Sequence, residues 1–216
     1  MKPPSAKRTP KDEGLAARRR DEILRHAIVH FARSSYAEAE LDAIAADIGC
    51  AKGTLYRYFE SKEDLFVSAV DLVMRKLLEA TTKDEEGGAE VELERAVRAY
   101  LAFFDAHPEY VELLIQERAV FRNRKRSTYF EFRQANLDRW RVRVEGLMQS
   151  GRFRRQPVDR VLDVIGRLLY GTIFTNYFSG YRGTPEQQAG DLLDVLFHGL
   201  LAPQSSPKAA RGKTQR

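Results

Sequence analysis

Residues 41–59, LDAIAADIGCAKGTLYRYF, decide the fold predicted for this chain. Their first part places apolar residues at the i, i+3, i+4 and i+7 positions of one helix face, namely Leu41, Ile44, Ala45 and Ile48. Gly49 follows, where the end of a helix favours a residue that tolerates the left-handed conformation. Two more residues complete a short turn. The stretch therefore predicts a helix-turn-helix, whose second helix is expected to run from Lys52 to Phe59.

The predicted second helix has two chemically different faces. Leu55 and Phe59 lie about one turn apart and can pack on the first helix. The opposite face carries glycine, hydroxyl and cationic residues: Gly53, Thr54, Tyr56 and Arg57. Arginine can pair with a base edge or a phosphate, hydroxyls can reach phosphate oxygens, and glycine lets the backbone approach a duplex. This face indicates a DNA-binding surface, with an ordinary helical pair and a solvated outer face as the alternative.

Residues 49–59, followed by SKEDL at 61–65, resemble the signature of the tetracycline-repressor (TetR) family of transcriptional regulators. The resemblance covers the first helix through the start of the fourth, and the remaining chain matches only in length and helical character. It implies a homodimeric, sequence-specific DNA-binding regulator, most often a repressor that leaves a palindromic operator when a small molecule binds. The DNA-binding residues that it implies are Lys52, Gly53, Thr54, Tyr56, Arg57, Tyr58 and Lys62.

The sequence departs from the family pattern at two positions. The family usually has Ser before the Lys-Gly pair, where this chain has Ala51. It usually has Thr or Ser before the second helix, where this chain has Glu40. A lost side-chain cap costs about 1 kcal/mol, and a lost hydroxyl can remove a phosphate contact. These changes put individual contacts in question more than the motif.

The composition fits a folded, all-α protein of about nine helices. Of its 216 residues, 43% are hydrophobic and 10% aromatic, and no strongly alternating apolar–polar segment suggests a strand. No apolar run is long enough to span a membrane, and the N-terminus lacks the apolar region of a signal peptide. One cysteine permits no internal disulfide. These features predict a cytoplasmic protein.

Positive charge is concentrated at the two ends of the chain. Residues 1–20 carry a net charge of +5 and residues 203–216 carry +4, whereas the whole chain carries +5, which leaves −4 for residues 21–202. The pI of 9.3 therefore reflects the ends. They could add sequence-independent affinity for phosphates, as in an architectural DNA-binding protein, or be solvated and disordered. The acidic body and the specific recognition face argue against the architectural alternative.

We predict four segments from these patterns. They are a disordered basic arm (1–14), a helix-turn-helix DNA-binding domain (15–62), a ligand-binding and dimerisation domain (63–202) and a disordered basic tail (203–216). Ser61 and Asp64 are spaced to cap a fourth helix that extends to about Ala80 and links the two domains. A single helix is expected over 128–149, after a basic loop at 121–127 that is either solvated or a site for an anion.

The last two predicted helices, 160–178 and 188–201, are apolar on more than one face. Such helices are buried on both sides, which favours a four-helix interface with a second copy of the chain over an ordinary monomer core. The interface residues that we predict are Ile165, Leu168, Leu169, Leu192, Leu196 and Leu200.

The resemblance also implies a pocket for a small hydrophobic or aromatic effector among helices 4 to 8. Candidate lining residues are Met74, Tyr100, Phe103, Phe104, Tyr110, Trp140, Tyr170, Phe174 and Tyr177. Each is also typical of an ordinary helical core. A ligand there would tilt helix 4 and change the separation of the two recognition helices.

The sequence does not indicate an enzyme. It has no glycine-rich phosphate loop of suitable spacing, no metal-ligand cluster and no nucleophile beside a plausible base, so no cofactor is expected. Glu22, His26 and His30 share one helix stripe, but no further ligand is near to complete a metal site.

Overall fold

The computed structural model describes residues 10–83, 87–180 and 183–199, with side chains from Gly14 onward. These ranges contain ten helices and no strand, which confirms the all-α prediction. In chain order the helices are α1 (Pro10–Glu38), α2 (Leu41–Asp47), α3 (Lys52–Leu55), α4 (Lys62–Thr82), α5 (Gly88–Ala106), α6 (Pro108–Val120), α7 (Thr128–Ala135), α8 (Leu137–Gln149), α9 (Val158–Ser179) and α10 (Pro185–His198).

The turn of the helix-turn-helix forms as the sequence predicts. Gly49 adopts the left-handed conformation with φ 69°. Its N–H donates to Ala46 O at 3.0 Å, and the Cys50 N–H donates to Ala45 O at 2.9 Å. This paired pattern satisfies the last carbonyls of α2 and reverses the chain toward α3.

Helix α1 begins inside the segment predicted to be a disordered arm. It starts at Pro10 and ends at Glu38, with a kink at Ser35, whose φ is 68°. Its inward face is fully buried: Ile23, Leu24, Ala27, Ile28 and Phe31. The remaining arm residues, 1–9, and the predicted tail, 203–216, lie outside the described residues.

Helix α4 connects the helix-turn-helix to the rest of the molecule. The Ser61 hydroxyl accepts from the Asp64 N–H at 3.0 Å, which confirms the predicted cap. The helix runs to Thr82 and is buried along most of its length. The largest apolar cluster is continuous from Ile23 of α1 to Leu193 of α10, so both predicted domains share one core.

The single helix expected over 128–149 is broken at Asn136, which accounts for ten helices rather than about nine. The Asn136 side-chain amide donates to Phe132 O at 2.9 Å, and its backbone N–H donates to Phe132 O and Arg133 O. Asparagine competes for backbone carbonyls in this way, which explains the break. Two shorter helices, α7 and α8, result.

Helix α10 packs chiefly against α5, and Asn176 of α9 and Gln188 of α10 exchange side-chain hydrogen bonds at 2.7 Å and 3.0 Å. Gly180, with φ 62°, ends α9. Thr184 and Gln187 form a reciprocal capping box at the start of α10. No helix within the described ranges is both long and apolar enough to span a membrane.

Candidate nucleic-acid interface and effector cavity

The recognition segment is shorter as an α-helix than the sequence predicts. Helix α3 covers Lys52–Leu55, and the chain continues to Phe59 through tight turns rather than a regular helix. The N–H groups of Tyr58 and Phe59 both donate to Leu55 O at 2.9 Å. Leu55 and Phe59 are buried, which confirms the inward face of this segment.

The outward face presents side chains that make no hydrogen bond to other described residues. Gly53, Tyr56 and Arg57 are exposed, and the exposed fraction of Tyr56 is 51%. The Arg57 backbone N–H donates to Thr54 O at 3.2 Å, but its guanidinium makes no hydrogen bond or ion pair within the described part of the chain. Thr54 and Tyr58 are half-buried, and Tyr58 also packs against the core. This face is chemically able to contact base edges and phosphates.

The two lysines of the predicted DNA-binding set are held by their own chain. Lys52 Nζ lies 2.7 Å from Asp42 Oδ2, and this hydrogen bond raises the pKa of Lys52. Lys62 Nζ donates to Ala37 O at 3.1 Å and lies 5.1 Å from the centre of the Tyr36 ring. A phosphate would therefore have to compete with these partners for both ammonium groups.

Both departures from the family pattern leave a helix without a side-chain cap. Glu40 and Ala51 occupy the N-cap positions of α2 and α3 in extended conformation, and neither side chain accepts a hydrogen bond from the helix. A serine at either position would supply that acceptor. The backbone geometry for capping is thus present at both positions.

A polar network fixes the recognition segment against α1 and α4. Arg20 Nη2 donates to the buried Ser68 hydroxyl at 2.9 Å, and that hydroxyl donates to Asp64 Oδ1 at 3.2 Å. Asp64 Oδ2 accepts from the Glu60 N–H at 2.9 Å, and the Arg20 guanidinium lies 4.8 Å from the centre of the Phe59 ring. Arg20 belongs to the basic N-terminal region, yet its guanidinium contacts Ser68 and Phe59 of its own chain.

The histidine stripe of α1 contacts the end of α2. His26 Nδ1 and His30 Nε2 lie 2.7 Å and 3.4 Å from Asp47 Oδ2. These hydrogen bonds lower the pKa of Asp47. Glu22 pairs with Arg19 instead. Within the described residues, no group of three or more His, Cys, Asp or Glu side chains is arranged to hold a metal ion.

An apolar cavity of about 140 Å³ lies among α4, α5, α7, α8 and α9. The C-terminal half of α4 contributes Leu77, Leu78 and Thr81 to its wall. The few polar groups at the wall include the hydroxyls of Tyr100 and Tyr129, which lie 2.9 Å apart. Burial raises the pKa of Tyr129 to about 12 and that of Tyr100 well above its usual value.

The structure places two of the nine predicted pocket residues, Tyr100 and Trp140, at this cavity. The other seven lie elsewhere: Met74, Phe103, Phe104, Tyr110, Tyr170, Phe174 and Tyr177. Met74, Phe104 and Tyr110 are buried in the main core, and Tyr177 is partly exposed. Helical periodicity shows that such residues face inward, but it does not show which inward positions border an empty volume.

Sequence reasoning missed the contribution of α7 to the cavity. Tyr129, Phe132 and Arg133 project from this helix, and Gly166 of α9 lies opposite. The expected single helix over 128–149 concealed the break that separates these residues from Trp140. The pattern Tyr-x-x-Phe-Arg at residues 129–133 offered a hint, because it places a cation beside two aromatic residues.

The exposed apolar residues of α9 form a stripe shifted by one residue from the predicted interface. Ile165 and Leu169 pack inside the chain, Leu192 and Leu196 are half-buried, and Leu200 lies outside the described residues. The exposed positions follow the 4-3-4-3 spacing of a helix–helix seam: Val164, Leu168, Gly171, Thr175 and Phe178. Only Leu168 belongs both to the predicted set and to this exposed stripe, which we call the α9 stripe.

A chain of hydrogen bonds crosses from α9 to α1 through α6. The Tyr177 hydroxyl donates to Glu112 Oε2 at 2.7 Å, which raises the pKa of Tyr177 to about 12. Gln116 Nε2 donates to Glu112 Oε1 and to the Phe31 carbonyl, both at 2.9 Å. This α6 link joins the C-terminal helices to the DNA-binding region.

Comparison with known proteins gives a family match and a shared fold. Residues 23–69 match the family described as bacterial regulatory proteins, tetR family. YerO of Bacillus subtilis, an uncharacterised HTH-type transcriptional regulator, is 28% identical over 117 residues, which cover 52% of this chain and 40% of that protein. SCO4008 of Streptomyces coelicolor, an HTH-type transcriptional repressor, is 32% identical over 95 residues, or 44% of this chain and 47% of that one. The chain thus spans less than half the length of these relatives.

The crystal structure of the transcriptional regulator FadR from Bacillus subtilis, in complex with stearoyl-CoA, has the same fold. It superposes with a TM-score of 0.72 at 19% sequence identity, covering 84% of this chain and 99% of that one. The likeness therefore extends through the C-terminal helices, well beyond the residues that match the family.

Proposed function

We propose that this chain, whose residues 23–69 match the TetR family of transcriptional regulators, is a homodimeric repressor of a palindromic DNA operator. A small hydrophobic or aromatic effector releases it from the DNA. The observation that carries the proposal is the recognition segment: the Tyr56 and Arg57 side chains are exposed and make no hydrogen bond within the described ranges, while Leu55 and Phe59 anchor the inner face. Its relatives are named as regulators, which supports a regulatory role over a catalytic one.

The α9 stripe supports the homodimer. Phe178 is 71% exposed, Val164 46% and Leu168 38%, so three large apolar side chains of the α9 stripe face away from the chain's own core. A second copy packing α9 and α10 against the same helices would remove these side chains from water. Two-fold symmetry would then present two recognition segments to half-sites about 34–36 Å apart on the duplex.

The path from the cavity to the DNA supports effector control. Leu77, Leu78 and Thr81 form cavity wall on the same helix whose N-terminus, at Ser61, adjoins the recognition segment. A ligand that displaces the C-terminal half of α4 would therefore move its N-terminal half and change the operator fit. The ligand lowers operator affinity only to the extent that it binds the displaced arrangement of α4 more tightly than the operator-binding arrangement.

The test is binding to the DNA that flanks the protein's own gene, at physiological salt and with excess competitor. We expect a two-fold symmetric footprint, and Arg57→Ala should weaken binding about 10- to 100-fold, the range for loss of a specific base contact. Arg118→Ala, which removes an exposed arginine from α6, is the charge-matched control. Specific binding by Arg57→Ala at wild-type strength, or binding that competitor DNA removes, would contradict the proposal.

The dimer is tested separately by sedimentation. Leu168→Glu introduces a charge into the α9 stripe and should yield a folded monomer that has lost the symmetric footprint. Val142→Glu changes an exposed apolar residue of α8 outside the stripe and should leave the dimer intact. A dimer of unchanged stability in Leu168→Glu would show that the interface lies elsewhere.

A further inference from the structure

The cavity contains one cationic side chain, held in place by a glycine. The Arg133 guanidinium lies directly over Gly166, where an added Cβ would be 2.6 Å from both Nε and Nη2. Any larger residue at 166 would push the guanidinium away. Nη2 donates to Leu162 O at 2.9 Å, and the Asp163 Oδ1 atom is 3.8 Å away. Within the described ranges that carbonyl is its only hydrogen-bond partner, although a guanidinium has five N–H donors.

The charge of Arg133 affects the pKa of both paired tyrosine hydroxyls. The guanidinium opposes the rise in pKa that burial causes at both Tyr100 and Tyr129. The hydroxyls bond to each other at 2.9 Å, and this bond uses one of their two protons. The residues that line the cavity therefore include a cation and a tyrosine pair with one hydroxyl proton left over from their mutual bond.

The rest of the wall favours a flat apolar body of limited size. Trp140 and Phe132 contribute aromatic surface, and Leu77, Val97 and Leu169 contribute aliphatic surface. The volume of about 140 Å³ is close to that of an engineered apolar cavity of about 150 Å³ that binds benzene. One six-membered ring with a small substituent matches this space.

We propose that the effector is a small monocarboxylate bearing one aromatic ring, with its carboxylate on Arg133 and its ring against Trp140. A carboxylate matches the planar fork of N–H donors on arginine. The inference rests on the proposed function, because it names the ligand class of the same cavity. The proposed ligand differs from the one bound in the FadR structure, because stearoyl-CoA is far larger than the cavity of this chain.

Trp140 is the sole tryptophan of the chain and borders the cavity, so its fluorescence reports binding directly. We expect benzoate to change the emission saturably and to raise the melting temperature. Benzamide, its neutral analogue, should bind at least about tenfold more weakly, because it offers no charge to the guanidinium. Arg133→Gln should lose at least about tenfold in benzoate affinity and leave benzamide affinity unchanged.

A second variant moves the guanidinium without deleting it. Gly166→Ala places a methyl group where the Arg133 side chain lies, and alanine is a better helix former than glycine, so the fold should persist. Its benzoate affinity should fall as in Arg133→Gln. Gly146→Ala, on α8 with open space around it, is the matched control and should bind benzoate like the wild type.

Equal affinity for benzoate and benzamide, or unchanged benzoate binding in Arg133→Gln, would overturn the inference. Binding of stearoyl-CoA without binding of benzoate would also overturn it, while leaving effector control intact. Absence of benzoate binding in the wild type would overturn it as well. The operator footprint is measured without ligand, and the fluorescence is measured without DNA. Failure of the proposed DNA-binding function is therefore distinguishable from failure of the proposed ligand class.

Discussion

Glu117 is a buried carboxylate of α6, and its removal should destabilise the fold strongly. Its side chain is 1% exposed, and Oε1 accepts three hydrogen bonds. The donors are the Thr128 N–H at 2.9 Å, the Thr128 hydroxyl at 2.6 Å and Arg124 Nη1 at 2.7 Å. Ser127, the N-cap residue of α7, supplies no side-chain cap, so the α6 carboxylate caps α7 from a distance.

The expected cost follows from what Glu117→Ala leaves behind. Thr128 is buried, so its N–H and hydroxyl both lose their acceptor where water has little access. Each buried donor left unpaired costs about 1–3 kcal/mol. The Arg124 side chain is 30% exposed and can regain water, so its loss adds less. We therefore expect the free energy of unfolding to fall by about 3–5 kcal/mol, the range for breaking a buried ion pair.

Urea unfolding, followed by circular dichroism at fixed protein concentration, measures this change. Glu131→Ala is the matched control, because Glu131 contacts the same arginine at 3.4 Å but its side chain is 55% exposed. That variant should lose less than about 1 kcal/mol. A loss below about 1 kcal/mol in Glu117→Ala as well would refute the distant-cap explanation, because the two carboxylates would then be energetically alike.

Two further changes test single features. Ala51→Ser supplies a cap acceptor for α3 and should raise the free energy of unfolding by about 0.5–1 kcal/mol. It should also tighten operator binding. Unchanged urea unfolding would show that α3 needs no side-chain cap. The pKa of Tyr129 is about 12 in the folded chain and about 10 when unfolded. The contribution of the neutral Tyr129 hydroxyl to the stability of the fold is therefore complete below pH 10 and is lost as the pH rises to 12. Urea unfolding of the wild type at pH 11 should therefore give a free energy of unfolding that this group has lowered by about 1.4 kcal/mol relative to pH 8. Tyr129→Phe should lack that part of the decrease. An identical decrease in both proteins would contradict the raised pKa of Tyr129.

The helix-turn-helix could be predicted because local rules specify it. Gly49 needs a positive φ that glycine adopts without strain, and Leu55 and Phe59 need an apolar neighbour, whatever the remaining chain does. The same rules overestimated the length of the recognition helix. The regular helix stops at Leu55, and the following turns are tightened by i to i+3 hydrogen bonds that no periodicity reveals.

The cavity and the proposed dimer face were harder to predict because they depend on which side of a helix meets which neighbour. Helix α9 is apolar nearly all round, so its composition gives two equivalent candidate seams, one residue apart. Packing against α5 and α8 buries Ile165 and leaves Val164 and Leu168 outside. Likewise, the break at Asn136 brings Arg133 and Trp140 to one cavity. A side-chain amide that competes with the helix cannot be distinguished in sequence from one that faces solvent.

The α6 link changes how a signal from the cavity can reach the DNA. The sequence suggested α4 as the mechanical connection, but Gln116 also ties α6 to the Phe31 carbonyl of α1, and Arg20 ties α1 to Ser68 of α4. If α4 moved alone, it would shift against α1 and break the Arg20–Ser68 bond or drag α1 away from Gln116. Either loss costs about 1 kcal/mol or more, because both bonds are at least partly shielded from water. A tilt that carries α1, α4 and α6 together keeps every one of these bonds. If an effector controls the protein as we propose, we therefore expect this three-helix unit to rotate relative to α9, where the exposed Tyr177–Glu112 hydrogen bond can exchange partners with water.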